Sequence, residues 1–190
     1  MKKAMIAIAL LGSMGLVGTA SAALLETSQV FTWSGNVPAA PKVDGWVIAQ
    51  PDGSAIPRGI LVFTTDAAGK GVLTGSTELR FQVFEEDAND AGKPDLGKVA
   101  TKYNYTLTSL AVNSAGLAAE QADAGYFAIQ SLNGGVATEL KKNTPVAALK
   151  EETILSVVKN TQFAAPANQP NAGDSVDVQA TVVVDGASLI

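Results

Sequence analysis

The sequence predicts an all-β protein folded as an antiparallel sandwich. Short runs rich in β-branched and aromatic residues recur along the chain, separated by Gly, Pro and Asn clusters. Two of these runs alternate with period two. Leu79, Phe81 and Val83 oppose Glu78, Arg80 and Gln82, and Tyr103, Tyr105, Leu107 and Ser109 oppose Asn104, Thr106 and Thr108. Helical periodicity is scarce: only 115–124 and 145–152 pass for short helices. Strands at this spacing, with little helix between them, are the pattern of a sandwich.

In chain order, Lys2 and Lys3 precede an apolar run from Ala4 to Val17, and Ala20-Ser21-Ala22 offers small residues for a cleavage site. Residues 1–22 therefore read as an export signal. The run is short and Gly/Ser-rich for a membrane span, and no Cys follows it to carry a lipid. Cleavage after Ala22 leaves 168 residues with a net charge of −7. A short arm, residues 23–30, leads into a domain of residues 31–190.

The expected strands are 30–37, ended by Pro38 and Pro41, and 45–50, ended by Pro51-Asp52-Gly53. Next comes 58–65 (RGILVFTT), an apolar run suited to the core, followed by a turn at 66–71. Strands at 78–84, 102–112, 126–132 and 153–163 follow, then a long loop at 164–173 and a closing strand at 175–184. In that last strand Val176, Val178, Ala180, Val182 and Val184 share one face, while Asp177, Gln179, Thr181 and Asp185 share the other. A chain of this length buries one substantial core, so one domain is expected.

Composition narrows the function. The acidic balance leaves no cationic cluster for phosphate, so nucleic acid is not an expected partner. The absence of Cys means that packing and strand pairing must supply all the stability. The absence of His removes the commonest general base and transition-metal ligand, and no G-x-S-x-G elbow appears, so no enzyme and no cofactor are expected. The acidic run 85–95 echoes part of a calcium loop. However, Ala91 occupies a ligand position and Lys98 stands where the bidentate Glu belongs, so a solvated turn is expected instead. Its neighbouring carboxylates lack the opposed geometry of a glycosidase pair. Lys141, Lys142, Lys150 and Lys159 read as solvated faces and edge protection. Trp33, Trp46, Tyr103, Tyr105 and Tyr126 suit the core of a sandwich better than a sugar platform.

The two ends of the exported chain suggest a use. If the sandwich lacks its final strand, the C-terminal strand borders an open groove with unpaired backbone, and an extended segment can complete the sheet by strand addition. In the arm, Leu25, Thr27 and Gln29 share one parity. The opposite parity would bury Glu26 at a cost of several kcal/mol. If the arm is donated, Leu25 and Thr27 are expected to face a neighbour's core, with Gln29 near the end of the donated segment and Phe31 and Trp33 in the subunit's own first strand; the alternative for residues 23–28 is a frayed terminus.

Phe31, Trp33 and Gly35, then Val37-Pro38-Ala39-Ala40-Pro41 and Trp46, resemble the N-terminus of the major pilins of enteric colonization-factor fimbriae, which are built by the alternate chaperone–usher route. The leader, the lack of Cys, the length and the alternating last strand agree. The resemblance covers about a tenth of the chain, and residues 185–190 depart from it by running on past Val184. It implies an incomplete immunoglobulin-like subunit that passes through the periplasm to a cell-surface adhesive fimbria. It implies as partners a periplasmic chaperone that lends the missing strand, an outer-membrane usher and neighbouring copies of the subunit, and it leaves room for a minor tip subunit and a host receptor. The alternatives are a minor or tip adhesin binding a host glycan or protein, distinguished by stoichiometry in sheared fibres, and a free-standing secreted binding domain, which would be a stable monomer without a chaperone.

Overall fold

The computed structural model describes residues 45–113, 118–122, 124–162 and 168–189, and also the backbone of 30–32. The described residues contain thirteen strands and no helix: β1 Val30–Thr32, β2 Trp46–Ala49, β3 Ile60–Thr65, β4 Gly71–Ser76, β5 Leu79–Glu86, β6 Pro94–Val99, β7 Lys102–Asn113, β8 Ala118–Glu120, β9 Phe127–Asn133, β10 Val136–Glu139, β11 Val146–Ala147, β12 Thr153–Lys159 and β13 Asp177–Ser188. Every pairing is antiparallel. The expected all-β class is what the chain adopts.

One layer is a six-stranded sheet of order β10-β9-β12-β5-β2, with β6 also on β5. The β1-β3-β4 sheet abuts it where β4 reaches β12, the Val157 N–H donating to Ser76 Oγ at 3.0 Å. The other layer centres on β7, with β13 along one edge and the short β8 and β11 on the opposite one.

The core lies between the layers, and its tyrosines tie them together. Tyr103 and Tyr105 on β7 are buried. Tyr103 Oη donates to the Glu151 carbonyl at 3.0 Å and shares a 2.7 Å bond with Thr153 Oγ1 of β12, while Tyr105 Oη donates to Ser131 Oγ of β9 at 3.1 Å. Both rings pack against Phe81 of β5, Tyr105 edge-on at 83° with centroids 6.4 Å apart. Pairs of this kind add about 0.5–1.5 kcal/mol beyond the area they bury. Tyr126 is equally buried, and its hydroxyl accepts the Leu73 N–H at 2.8 Å. The three tyrosines are therefore core residues, as the composition suggested; Trp46 is half-buried and Trp33 lies outside the described residues.

Several expectations need correction. The Ala-rich stretch 115–124 holds strand β8, and 145–152 holds the short strand β11 and turns. Pairing with β7 overrides local helix propensity in both places. The alternation expected along β7 fails at Ser109, which is only half-buried, while Leu110 and Val112 take the inward positions. The cause is a β-bulge. Thr181 pairs with Ser109 and Val182 with Leu107, leaving Thr108 as one extra residue on β7 that flips the parity beyond it. Thr108 Oγ1 donates to the Thr181 carbonyl at 3.2 Å. Thr74 plays the same part on β4, its hydroxyl donating to Val62 O at 3.1 Å beside the shift between Val62 and Phe63. Strand β12 ends at Lys159, short of the 163 expected, and β13 runs four residues further than the 184 expected.

Candidate functional site

The most distinctive site is the free edge of β13 and the cleft beneath it. Among the described residues β13 pairs only with β7, along a ladder from Asp177↔Asn113 to Ser188↔Lys102. Because the Thr108 bulge sits on β7, β13 stays regular as far as Val184, and Val178, Ala180 and Val182 remain on one face. That face lines an apolar cleft of about 70 Å³ whose opposite wall includes Ile48 of β2, Leu79 and Phe81 of β5, and Leu155 of β12. Ile56 and Pro57, just ahead of β3, close one side. Ile48, Ile56, Leu79, Leu155, Ala180 and Val182 are all half-buried, so an apolar floor stands partly open to solvent beside an unpaired strand edge.

The five residues expected on the C-terminal strand face are placed in two groups. Val176 and Val178 are 1% and 0% exposed and belong to the closed core, Val178 also touching the cleft. Ala180, Val182 and Val184 are half-buried and pack against the core from its margin. Of the expected N-terminal residues, Leu25, Thr27, Gln29 and Trp33 lie outside the described residues. Phe31 lies in β1, its backbone paired opposite Leu61. Strand β1 begins at Val30, so the last residue assigned to the arm is already paired with Val62.

The opposite edge of the same layer is closed. Glu120 at the end of β8 accepts from Ser109 Oγ at 2.6 Å, from the Leu110 N–H at 3.1 Å and from Lys142 Nζ at 2.5 Å. Those bonds, that from Lys142 foremost, pull its carboxyl down to about 2. The Asn143 N–H adds a bond to the Leu107 carbonyl at 2.8 Å. Side chains and turns thus satisfy the stretch of β7 between β11 and β8. Two further buried polar residues, missed by sequence reasoning, also replace ladder bonds. Gln121 brackets Phe127, donating to its carbonyl at 2.6 Å and accepting its N–H at 3.1 Å. A Cβ on Gly125 would fall 2.1 Å from the Gln121 side chain, so glycine is required there. Asn133 donates to Lys150 O, Glu152 O and Thr153 Oγ1, and accepts from the Leu149 and Lys150 amides, all within 2.9 Å.

The acidic run spends its charges on its own turn. Asp87 Oδ1 accepts the Asn89 N–H at 2.7 Å, Glu86 Oε1 accepts the Gly92 N–H, Lys93 pairs with Asp90 at 2.6 Å, and Lys98 pairs with Glu85 at 2.8 Å. Lys98, at the position where a calcium loop would need its bidentate Glu, is instead ion-paired with Glu85. Among the described residues no group of three His, Cys, Asp or Glu is placed to hold a metal ion.

Comparisons of the chain with protein-family models, with curated proteins and with solved structures found no match.

Proposed function

We propose that this chain is a structural subunit of a surface fibre, an incomplete immunoglobulin-like sandwich that polymerises when the N-terminal arm of one copy is added along β13 of the next. The observation that carries the reading is the edge of β13, unpaired among the described residues, above a half-open apolar cleft. An unpaired edge beside exposed apolar side chains is an aggregation hazard unless something fills it. Strand addition satisfies both at once, the backbone by ladder bonds and the cleft by alternate side chains.

The arm supplies a matching pattern, with Leu25, Thr27 and Gln29 on one parity. Donation from one copy to the next is a head-to-tail contact that does not close on itself, so it yields a filament. On the resemblance of the N-terminal motif, the fibre is an adhesive fimbria and the subunit its major pilin, escorted by a periplasmic chaperone and an outer-membrane usher. The role is non-enzymatic.

The test is periplasmic expression with and without a candidate chaperone, followed by denaturing electrophoresis of unheated and heated samples. Loss of the subunit without chaperone, and ladders of heat-resistant oligomers after assembly, are expected. Leu25→Asp should abolish the ladder and leave the chaperone-bound subunit soluble. A stable monomer independent of any chaperone would replace this reading with that of a free-standing domain.

A further inference from the structure

The β13–β7 ladder carries two irregularities, and they fall on different strands. At Thr181/Val182 the extra residue is Thr108 of β7, so the exposed edge of β13 continues unbroken. Between Asp185 and Ser188 the extra residue is on β13 itself: Asp185 pairs with Asn104 and Ser188 with Lys102, two residues of β13 spanning one of β7. Gly186 takes φ +61° there, the left-handed conformation that favours glycine. Past it the inward parity changes from even to odd, since Val184 and Ala187 both pack against the core. Asn104 Nδ2 donates to Asp185 Oδ1 at 3.0 Å and holds the kink.

A bulge on an inner strand leaves the outer edge usable, whereas a bulge on the edge strand breaks the row of N–H and C=O groups that a new strand must match. We propose that the Asp185–Ala187 bulge is a built-in stop: it confines an added strand to Asp177–Val184 and so fixes the register and length of the donated segment. This rests on the fibre-subunit reading above. The lengths agree. Asp177–Val184 is eight residues, roughly 27 Å of antiparallel strand, and residues 23–29, the stretch between the expected cleavage site and β1, would span roughly 24 Å if fully extended. The occupant is therefore residues 23–29 of a second copy, and the chain beyond Val184 is left to seal the end of its own subunit.

Hydrogen exchange on assembled fibres, compared with the unassembled subunit, tests the stop. Peptides covering 177–184 should gain at least tenfold protection on assembly, and peptides covering 186–189 should gain none. Deleting Gly186 should let the added protection spread past residue 185. Protection extending through Ser188 in the unaltered chain would overturn the stop and leave strand addition standing. No gain anywhere in β13 would overturn strand addition itself, and the stop with it.

Discussion

Val182 distinguishes the requirements of the subunit from those of the fibre. It is half-buried at the margin of the cleft, two positions along the same face from Val178, which is 0% exposed. In the isolated subunit an aspartate at 182 keeps its carboxylate in water, and the cost is the lost partial burial of a valine, about 1 kcal/mol. Once a donated strand covers the cleft, the same carboxylate is desolvated without a partner. An uncompensated buried charge costs roughly 3–5 kcal/mol, and each 1.4 kcal/mol is a factor of ten in association. Val182→Asp should therefore weaken assembly by at least about a hundredfold while lowering subunit stability only slightly. Val178→Asp is the control, because its charge is buried in the subunit from the start and should prevent folding. Refolded monomer at low concentration gives the first quantity by urea unfolding followed through the fluorescence of its two tryptophans. The concentration dependence of polymer formation gives the second. A Val182→Asp subunit that assembles like the wild type would refute the reasoning, as would one that unfolds as readily as Val178→Asp.

Two further predictions concern the scaffold. Asn133→Ala removes a buried side chain that satisfies five groups around the 149–153 segment, four of them part-buried backbone groups and one the buried Thr153 hydroxyl. It should cost about 3–5 kcal/mol, measured as a drop in urea midpoint at unchanged m-value. Tyr103 should make the fold sensitive to alkali: burial pushes its phenol up to about 12, although the bond to Thr153 opposes this. Its folded pKa lies above the unfolded value near 10, so the contribution is complete below pH 10 and is lost between pH 10 and 12, about 2–3 kcal/mol in all. Tyr103→Phe should be less stable at neutral pH and show a shallower loss across that window.

How much of this was legible in the sequence depended on whether the signal was local. Leu79–Val83, Tyr103–Leu107 and Val176–Val184 announced their faces because one side of each meets the core and the other does not. Strand β10 had a signal too: Asn133-Gly134-Gly135-Val136 is a two-residue hairpin turn, with φ of +58° and +82° at its two glycines, and that pattern favours a tight β-hairpin. Strand β4, Gly71–Ser76, reads as polar and glycine-rich because its Thr74 bulge breaks the alternation. The bulge at Thr108 left no local mark. A threonine in an alternating run looks like any other, and only the register against β13 reveals the extra residue. Asn133 and Gln121 were illegible for a related reason, since the groups they satisfy belong to other segments of the chain. The free edge of β13 is a property of topology, and the sequence could suggest it only through the pairing of an alternating last strand with an alternating arm.

The central claim is that the arm of one copy lies along β13 of another. The chain has no cysteine, so engineered ones report cleanly. Ser28→Cys in one preparation would be mixed with Gln179→Cys, Thr181→Cys or Val183→Cys in another, assembled and oxidised. The account predicts a disulfide-linked dimer in the mixture at one of these three positions, and none with a cysteine at Ser188. If the mixtures give no dimer, and a chain carrying both cysteines closes on itself as a monomer, the arm fills its own subunit and the claim is contradicted.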